Sequence, residues 1–223
     1  MHKSEVLKAL RNEAFIELID GAVFDVKPKY KELGMKTAIG SCFVRATVFE
    51  MLEKVQESLP VGYSLRIWDT WRPLALQKEL YETYKKSIIE TFNLENLSED
   101  ERNTFISRYI AIPSEDRNAP PAHTTGGAVD LTLIDENGNE VDMGTEFDDF
   151  SEKAATDYFE GEEDSVIRRN RKILFDAMTG AGFTNLQSEW WHYDFGDANW
   201  ASQTKNEVLY SGVFALEEMT KII

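Results

Sequence analysis

The hydrophobic positions of this chain change period several times, and each change predicts an element. Residues 4–20 mix Glu5, Lys8, Arg11, Glu13 and Glu17 with apolar side chains in the pattern of an amphipathic helix, capped by Ser4 and ended before Gly21. His2, in the terminus before it, receives no role. Residues 21–40 carry Pro28, Gly34 and Gly40 and read as a loop with one short strand. From Ser41 to Leu59 the residues Phe43, Val44, Val48, Met51, Leu52 and Val55 follow a helical period, with Ser41 as N-cap and Pro60 and Gly62 as the stop. Tyr63, Leu65 and Ile67 then alternate with Ser64, Arg66 and Trp68, which predicts a strand. It runs out at Trp71-Arg72-Pro73, where Pro73 can open a helix over 74–93, followed by another over 98–111.

Pro113, Pro120 and Pro121 flank a loop that leads into Ala122–Leu133, the stretch around which the chain is organised. Gly126 and Gly127 mark a sharp turn or a close backbone approach. After them Ala128, Asp130 and Thr132 alternate with Val129, Leu131 and Leu133, the period of a half-buried strand over 128–134. Asn137-Gly138 is a hairpin signal. Residues 142–164 contain ten Asp or Glu and read as an irregular, mostly solvated segment. A basic amphipathic helix over 165–181 ends at Gly180 and Gly182, and Ser188–Phe195 reads as an aromatic-rich strand. These elements predict an α+β fold: a small, mainly antiparallel sheet with helices packed against it, in a single domain over 1–223.

Composition narrows the function. The chain has 223 residues, 42% of them hydrophobic, and a formal net charge of −16. A field of that sign repels nucleic acid and anionic membranes, so neither is expected as a partner. The lone Cys42 forms no internal disulfide and reads as a buried residue in a helix. The N-terminal stretch has no continuous apolar run, so neither a secretory signal nor a membrane span is expected, and a cytoplasmic location follows by default.

The candidate chemistry lies in two places. His123 and Asp130 flank the Gly-Gly turn, and Glu189-Trp190-Trp191-His192 lies near the C-terminal end. A strand carboxylate is costly to bury unless it is paired or bound to a cation. His123, Asp130 and His192 supply two nitrogens and one oxygen, a set that catalytic zinc prefers, with a fourth position left for water. Glu189 could deprotonate that water and pass the proton to a leaving amine. Positions 189 and 192 would face opposite sides of a regular strand, so irregular backbone is predicted at Ser188–Trp190. Trp190 and Trp191 are expected as core and pocket wall.

The paired segments, His123 to Asp130 followed by Asp-Leu-Thr-Leu and Glu189-Trp-Trp-His192-Tyr, resemble the zinc motifs of the D-alanyl-D-alanine dipeptidases. These belong to the zinc DD-peptidases related in fold to the hedgehog signalling domain. Trp68-Asp69-Thr70-Trp71-Arg72-Pro73 resembles the family's strand-end arginine segment, and Met143–Asp148 its ammonium-binding segment. The resemblance implies one zinc ion held by His123, Asp130 and His192, with Glu189 as general base and acid. It implies Arg72 on the oxyanion of the tetrahedral intermediate and Asp148 on the ammonium of a short peptide substrate. Pro121 and Ala122 stand where the family usually offers serines, a departure in substrate contacts rather than in the metal set. The expected function is hydrolysis of D-alanyl-D-alanine or a similar dipeptide. The alternatives are a carboxypeptidase or endopeptidase on peptidoglycan stem peptides, or a non-catalytic zinc-stabilised binding domain.

Overall fold

The computed structural model describes residue 10 and residues 13–162 and 165–219. Its main sheet has five strands, β2 (Asp25–Val26), β4 (Ser64–Asp69), β5 (Ala128–Ile134), β6 (Thr184–Asn185) and β7 (His192–Asp194), in the order β2-β4-β5-β7-β6. Only β2 and β4 run parallel; the other pairings are antiparallel. A separate antiparallel pair joins β1 (Phe15–Leu18) to β3 (Cys42–Arg45). The mainly antiparallel α+β architecture agrees with the alternation read from the sequence.

The apolar residues of β4 and β5, among them Leu65, Ile67, Val129, Leu131 and Leu133, pack with Val48, Met51, Leu52 and Val55 of helix Ala46–Ser58. Leu174 and Met178 of helix Val166–Gly180 join the same cluster. A second cluster gathers Leu76, Leu80 and Ile88 of helix Leu74–Thr91 with Ile106 of helix Glu99–Ile106 and with Tyr30. Ser98 closes a capping box on the latter helix, accepting from the Glu101 N–H while the Glu101 carboxylate accepts from the Ser98 N–H.

Three expectations are corrected. The helix expected over 4–20 is in part β1: Phe15–Leu18 pairs with β3 in register from Phe15 with Arg45 to Leu18 with Cys42. Residues 1–9, with Ser4 and His2, lie outside the described residues. The helix expected from Ser41 begins at Ala46, because β3 precedes it with all four residues buried; the cap position is Arg45, and Cys42 lies in a strand. Buried on both sides, a strand shows the same unbroken apolar run as the first turn of a buried helix. Finally, β5 is buried along its whole length rather than on one face. The Asn137-Gly138 turn forms, with Gly138 at φ 79°, but beyond it Glu140 makes a single bridge to Ile134 rather than a strand. No helix among the described residues is long and apolar enough to cross a membrane.

Candidate active site

Strand register brings the candidate residues together. Asp130, in the middle of β5, is directly opposite His192 of β7 on one side and Asp69 of β4 on the other. Directly paired residues of neighbouring strands project from the same face, so three polar side chains form a row across the sheet. The β4–β5 register shifts between Ile67 and Asp69, an irregularity that coincides with the arrival of Asp69 in that row.

His123 reaches the same point from the 3-10 turn Ala122–Thr125, which β5 follows. That turn ends at Gly126, at φ 77°, a conformation that side-chain-bearing residues rarely adopt. Gly127 serves a close approach: a Cβ there would lie 2.2 Å from the Phe195 carbonyl oxygen. The Gly-Gly pair therefore does both of the things its sequence allowed, one at each position.

His123, Asp130 and His192 each offer a ligand atom, all within 4.8 Å of one another, and all three residues are buried. His123 Nε2 is 3.2 Å from His192 Nδ1 and 3.3 Å from Asp130 Oδ2, and His192 Nδ1 is 3.0 Å from Asp130 Oδ1. The outward nitrogens are also partnered, His123 Nδ1 with the Thr70 carbonyl at 2.7 Å and His192 Nε2 with Asp194 at 2.8 Å. Two imidazoles and a carboxylate converging in a buried spot fit a divalent cation of the zinc type. Burial pushes the Asp130 carboxyl up, but His123 and His192 outweigh it and hold it well below the usual carboxylate range. Burial opposes charge on His192 as well, yet Asp194 and Asp130 outweigh it and raise its pKa well above the ordinary imidazole value.

Arg72 is also buried. Its Nε donates to Asp69 at 2.8 Å and its Nη1 to Gln77 at 2.8 Å, while Nη2 lies 3.3 Å from the Tyr30 hydroxyl and 3.6 Å from Asp130. The guanidinium stands over the Tyr30 ring, 4.9 Å from its centroid. Burial disfavours its charge, but Tyr30, Asp69 and Asp130 more than compensate, so it stays protonated.

Asp148 sits in the acidic segment in the left-handed region, at φ 57°. Its carboxylate accepts from Tyr84 at 2.8 Å and from Tyr30 at 3.3 Å. Burial and the nearby Asp130 push its pKa up to about 6, against the pull of Tyr84, Arg72 and Tyr30. Glu189 lies before β7, in a turn where its N–H donates to the Leu186 carbonyl and its own carbonyl accepts from His192 N–H. This is the irregular backbone predicted at 188–190. Burial pushes the Glu189 carboxyl up to about 8, with Asp130 and Asp148 adding to the effect and His192 and Arg72 opposing it.

His123, Asp130, His192, Arg72, Asp148 and Glu189 all line one cleft of about 260 Å³. Trp190 and Trp191 are buried as expected, and Trp191 lines a smaller neighbouring hollow that shares Glu189 and Asp148. Sequence reading missed Asp69, Asp194, Tyr30 and Tyr84. Asp194 left a signal, since residues two apart on a strand share a face and it follows His192 by two. The tyrosines left none, because they reach Asp148 across 118 and 64 residues of chain.

The D-ala-D-ala dipeptidase family, peptidase family M15, matches this chain over residues 37–209. A D-alanyl-D-alanine dipeptidase of Synechocystis sp. is 30% identical to it over 200 residues, which cover 81% of each chain. That of Escherichia coli K12 is 42% identical over 76 residues, 34% of this chain and 38% of its own. That of Enterococcus faecalis is 27% identical over 160 residues, 69% of this chain and 72% of its own.

Proposed function

The chain belongs to the D-ala-D-ala dipeptidase family of M15 peptidases, and from that membership we propose that it is a zinc-dependent dipeptidase acting on D-alanyl-D-alanine or a similarly short D-amino-acid dipeptide. The observation that supports this reading is one cleft lined by a three-ligand set, a carboxyl group, a guanidinium and a second carboxylate. His123 Nε2, the Asp130 carboxylate and His192 Nδ1 would hold the ion. Zinc bound there supplies a water that ionises near neutral pH, at a pKa of ~7, and polarises the scissile carbonyl.

Every other role falls to this chain's own residues. Glu189 accepts the proton of the attacking water and delivers it to the departing amine nitrogen. Its raised pKa suits both halves of that task, because a carboxyl poised near the working pH can take and give a proton. Arg72 hydrogen-bonds the oxyanion as the carbonyl becomes tetrahedral, in a plane fixed beforehand by Asp69 and Gln77. Asp148, aimed by Tyr84 and Tyr30, pairs with the substrate ammonium. An ammonium anchor lining the same cleft as Glu189 favours a substrate whose free amine lies close to the scissile bond. The rest of the lining includes Ile110, Ala111, Ala119, Pro121 and Ala122, small and apolar enough for methyl side chains.

The test is hydrolysis of D-alanyl-D-alanine by zinc-loaded protein beside Glu189→Gln, with a peptide panel from two to five residues. The wild type is expected to cleave the dipeptide and to decline steeply with length, while the variant loses at least ~10²-fold in kcat. Equal rates for the two proteins contradict the assigned role of Glu189. Preference for the longest peptides contradicts the dipeptidase reading in favour of a stem-peptide hydrolase.

A further inference from the structure

The two candidate imidazoles face the ligand site with different nitrogens. His123 points Nε2 inward and rests Nδ1 on a backbone carbonyl, that of Thr70. His192 does the reverse: Nδ1 faces Asp130 and His123, and Nε2 points away. A neutral imidazole that ligates a cation keeps its inward nitrogen bare, so its proton must sit on the other nitrogen and needs an acceptor there. For His192 the acceptor is Asp194 Oδ1, at 2.8 Å.

We propose that Asp194 is the positioning residue that fixes the tautomer and ring orientation of His192, and through them the affinity of the site for its metal; this rests on the metallopeptidase reading above. Asp194 is wholly buried and stands two residues after His192 on β7, so the strand itself sets the two side chains beside each other. A buried carboxylate needs partners, and Asp194 has them on both oxygens. Oδ1 faces His192, and Oδ2 accepts from Asn199 Nδ2 at 3.2 Å. Asp197 supports the arrangement from the start of helix Ala198–Thr204, which it caps by accepting from Trp200 N–H at 2.9 Å. Its second oxygen is buried with no other donor to accept from. Burial, the charge of the adjacent Asp194 and a side-chain interaction with it raise the Asp197 carboxyl well above the ordinary carboxylate value. The resulting chain runs from Asp197 to Asp194 to His192 to the ligand cluster, with no solvent-exposed member. Neither Asp194 nor Asp197 lines the cleft itself, so the role is orientation of a lining residue rather than contact with substrate.

The test is zinc affinity of the full chain at fixed neutral pH, by competition with a chromophoric chelator, for the wild type, Asp194→Asn and Asp194→Ala. Outer partners of metal-ligating histidines are typically worth about 10–100-fold in metal affinity. Asp194→Ala is expected to weaken zinc by that factor, and Asp194→Asn, which keeps an acceptor oxygen, by less. Nitrogen-15 NMR of the zinc-loaded wild type is expected to show His192 protonated at Nε2 and ligated through Nδ1. Folded variants with wild-type zinc affinity overturn the proposal. A His192 protonated at Nδ1 in the loaded wild type also overturns it, and that reading decides the matter should Asp194→Ala fail to fold. A wild type that takes up no zinc is a different result: it overturns the metallopeptidase reading, and this inference falls with it.

Discussion

Glu189 stands where its charge is unfavourable, and that makes its proposed catalytic role separable from its effect on stability. Its carboxyl is raised to about 8 in the metal-free protein, while in the unfolded chain it titrates in the ordinary carboxylate range. The folded state therefore holds a proton that the unfolded state releases, and stability falls as pH rises from that range through about 8. Glu189→Gln removes this dependence. The metal-free variant is expected to be more stable than the wild type at pH 8, by on the order of 1–3 kcal/mol, although its catalysis is lost. Denaturant unfolding of both proteins at pH 5 and pH 8 checks this; parallel pH curves contradict it. Asp148 gives a prediction in activity. It must be ionised to hold an ammonium, and its pKa is raised to about 6. Below the fall set by Glu189 near 8, a second, steeper step in the acid limb of kcat/KM for a dipeptide with a free amine is expected as pH drops through about 6. Asp148→Asn is expected to remove that second step while raising KM, and a step unmoved in the variant assigns it to another group. At this scale the convergence of His123, Asp130, His192 and Glu189 on one cleft was legible, because few residue types suit the expected tasks and the chain has three histidines. Their partners were not. A tyrosine on helix Leu74–Thr91 says nothing in sequence about an aspartate 64 residues later.

Among the elements, the acidic segment that carries Asp148 was expected to be solvated surface, and part of it is held from beneath. Arg171, in the helix Val166–Gly180, is buried and donates to the carbonyls of Met143, Lys153 and Ala155. Its neighbour Asn170 donates to the Asp142 carbonyl at 2.8 Å. The helix was read correctly as basic and amphipathic, but that pattern does not distinguish an arginine facing solvent from one turned inward to a loop. These bonds fix the ends of the segment from which Asp148 reaches the cleft. Arg171→Ala is expected to raise KM by about tenfold while leaving kcat within about threefold, since charge-assisted hydrogen bonds are worth about 1.5–3 kcal/mol each. Arg171→Lys is expected to recover only part of this, because one ammonium does not reproduce the planar fork. Steady-state kinetics decide it, and a loss confined to kcat contradicts a loop-positioning role. The errors in β1 and β3 have a related cause. Phe15–Leu18 is a strand only because Cys42–Arg45 pairs with it, and no local pattern encodes that pairing. The strand β5, by contrast, was placed at its observed ends, because the Gly-Gly turn and the Asp-Glu-Asn-Gly turn bound it in sequence as well as in space.

Across the whole molecule, the ligand cluster lies where three strands meet, with β5 between β4 and β7. An ion bound there joins residues from the centre of the chain and from near its C-terminal end, so its loss should be felt throughout the fold. Zinc at 100-fold excess over its Kd would add about 2.7 kcal/mol to stability by mass action. A melting temperature that rises on zinc addition and falls with a chelator is the expected outcome; calorimetry of both forms checks it, and coincident transitions contradict it. The net charge of −16 resists association with polyanions, while Asp130 is buried and paired with His123 and His192 rather than exposed on that negative surface.

The most direct measurement is zinc stoichiometry with D-alanyl-D-alanine hydrolysis followed in parallel, as metal-free protein is titrated with zinc. Activity rising linearly and breaking at one ion per chain, with both signals lost in His123→Ala, Asp130→Ala and His192→Ala, is the expected result. Full activity in chelated, zinc-free protein, or one tightly bound ion retained by all three variants, would contradict the account.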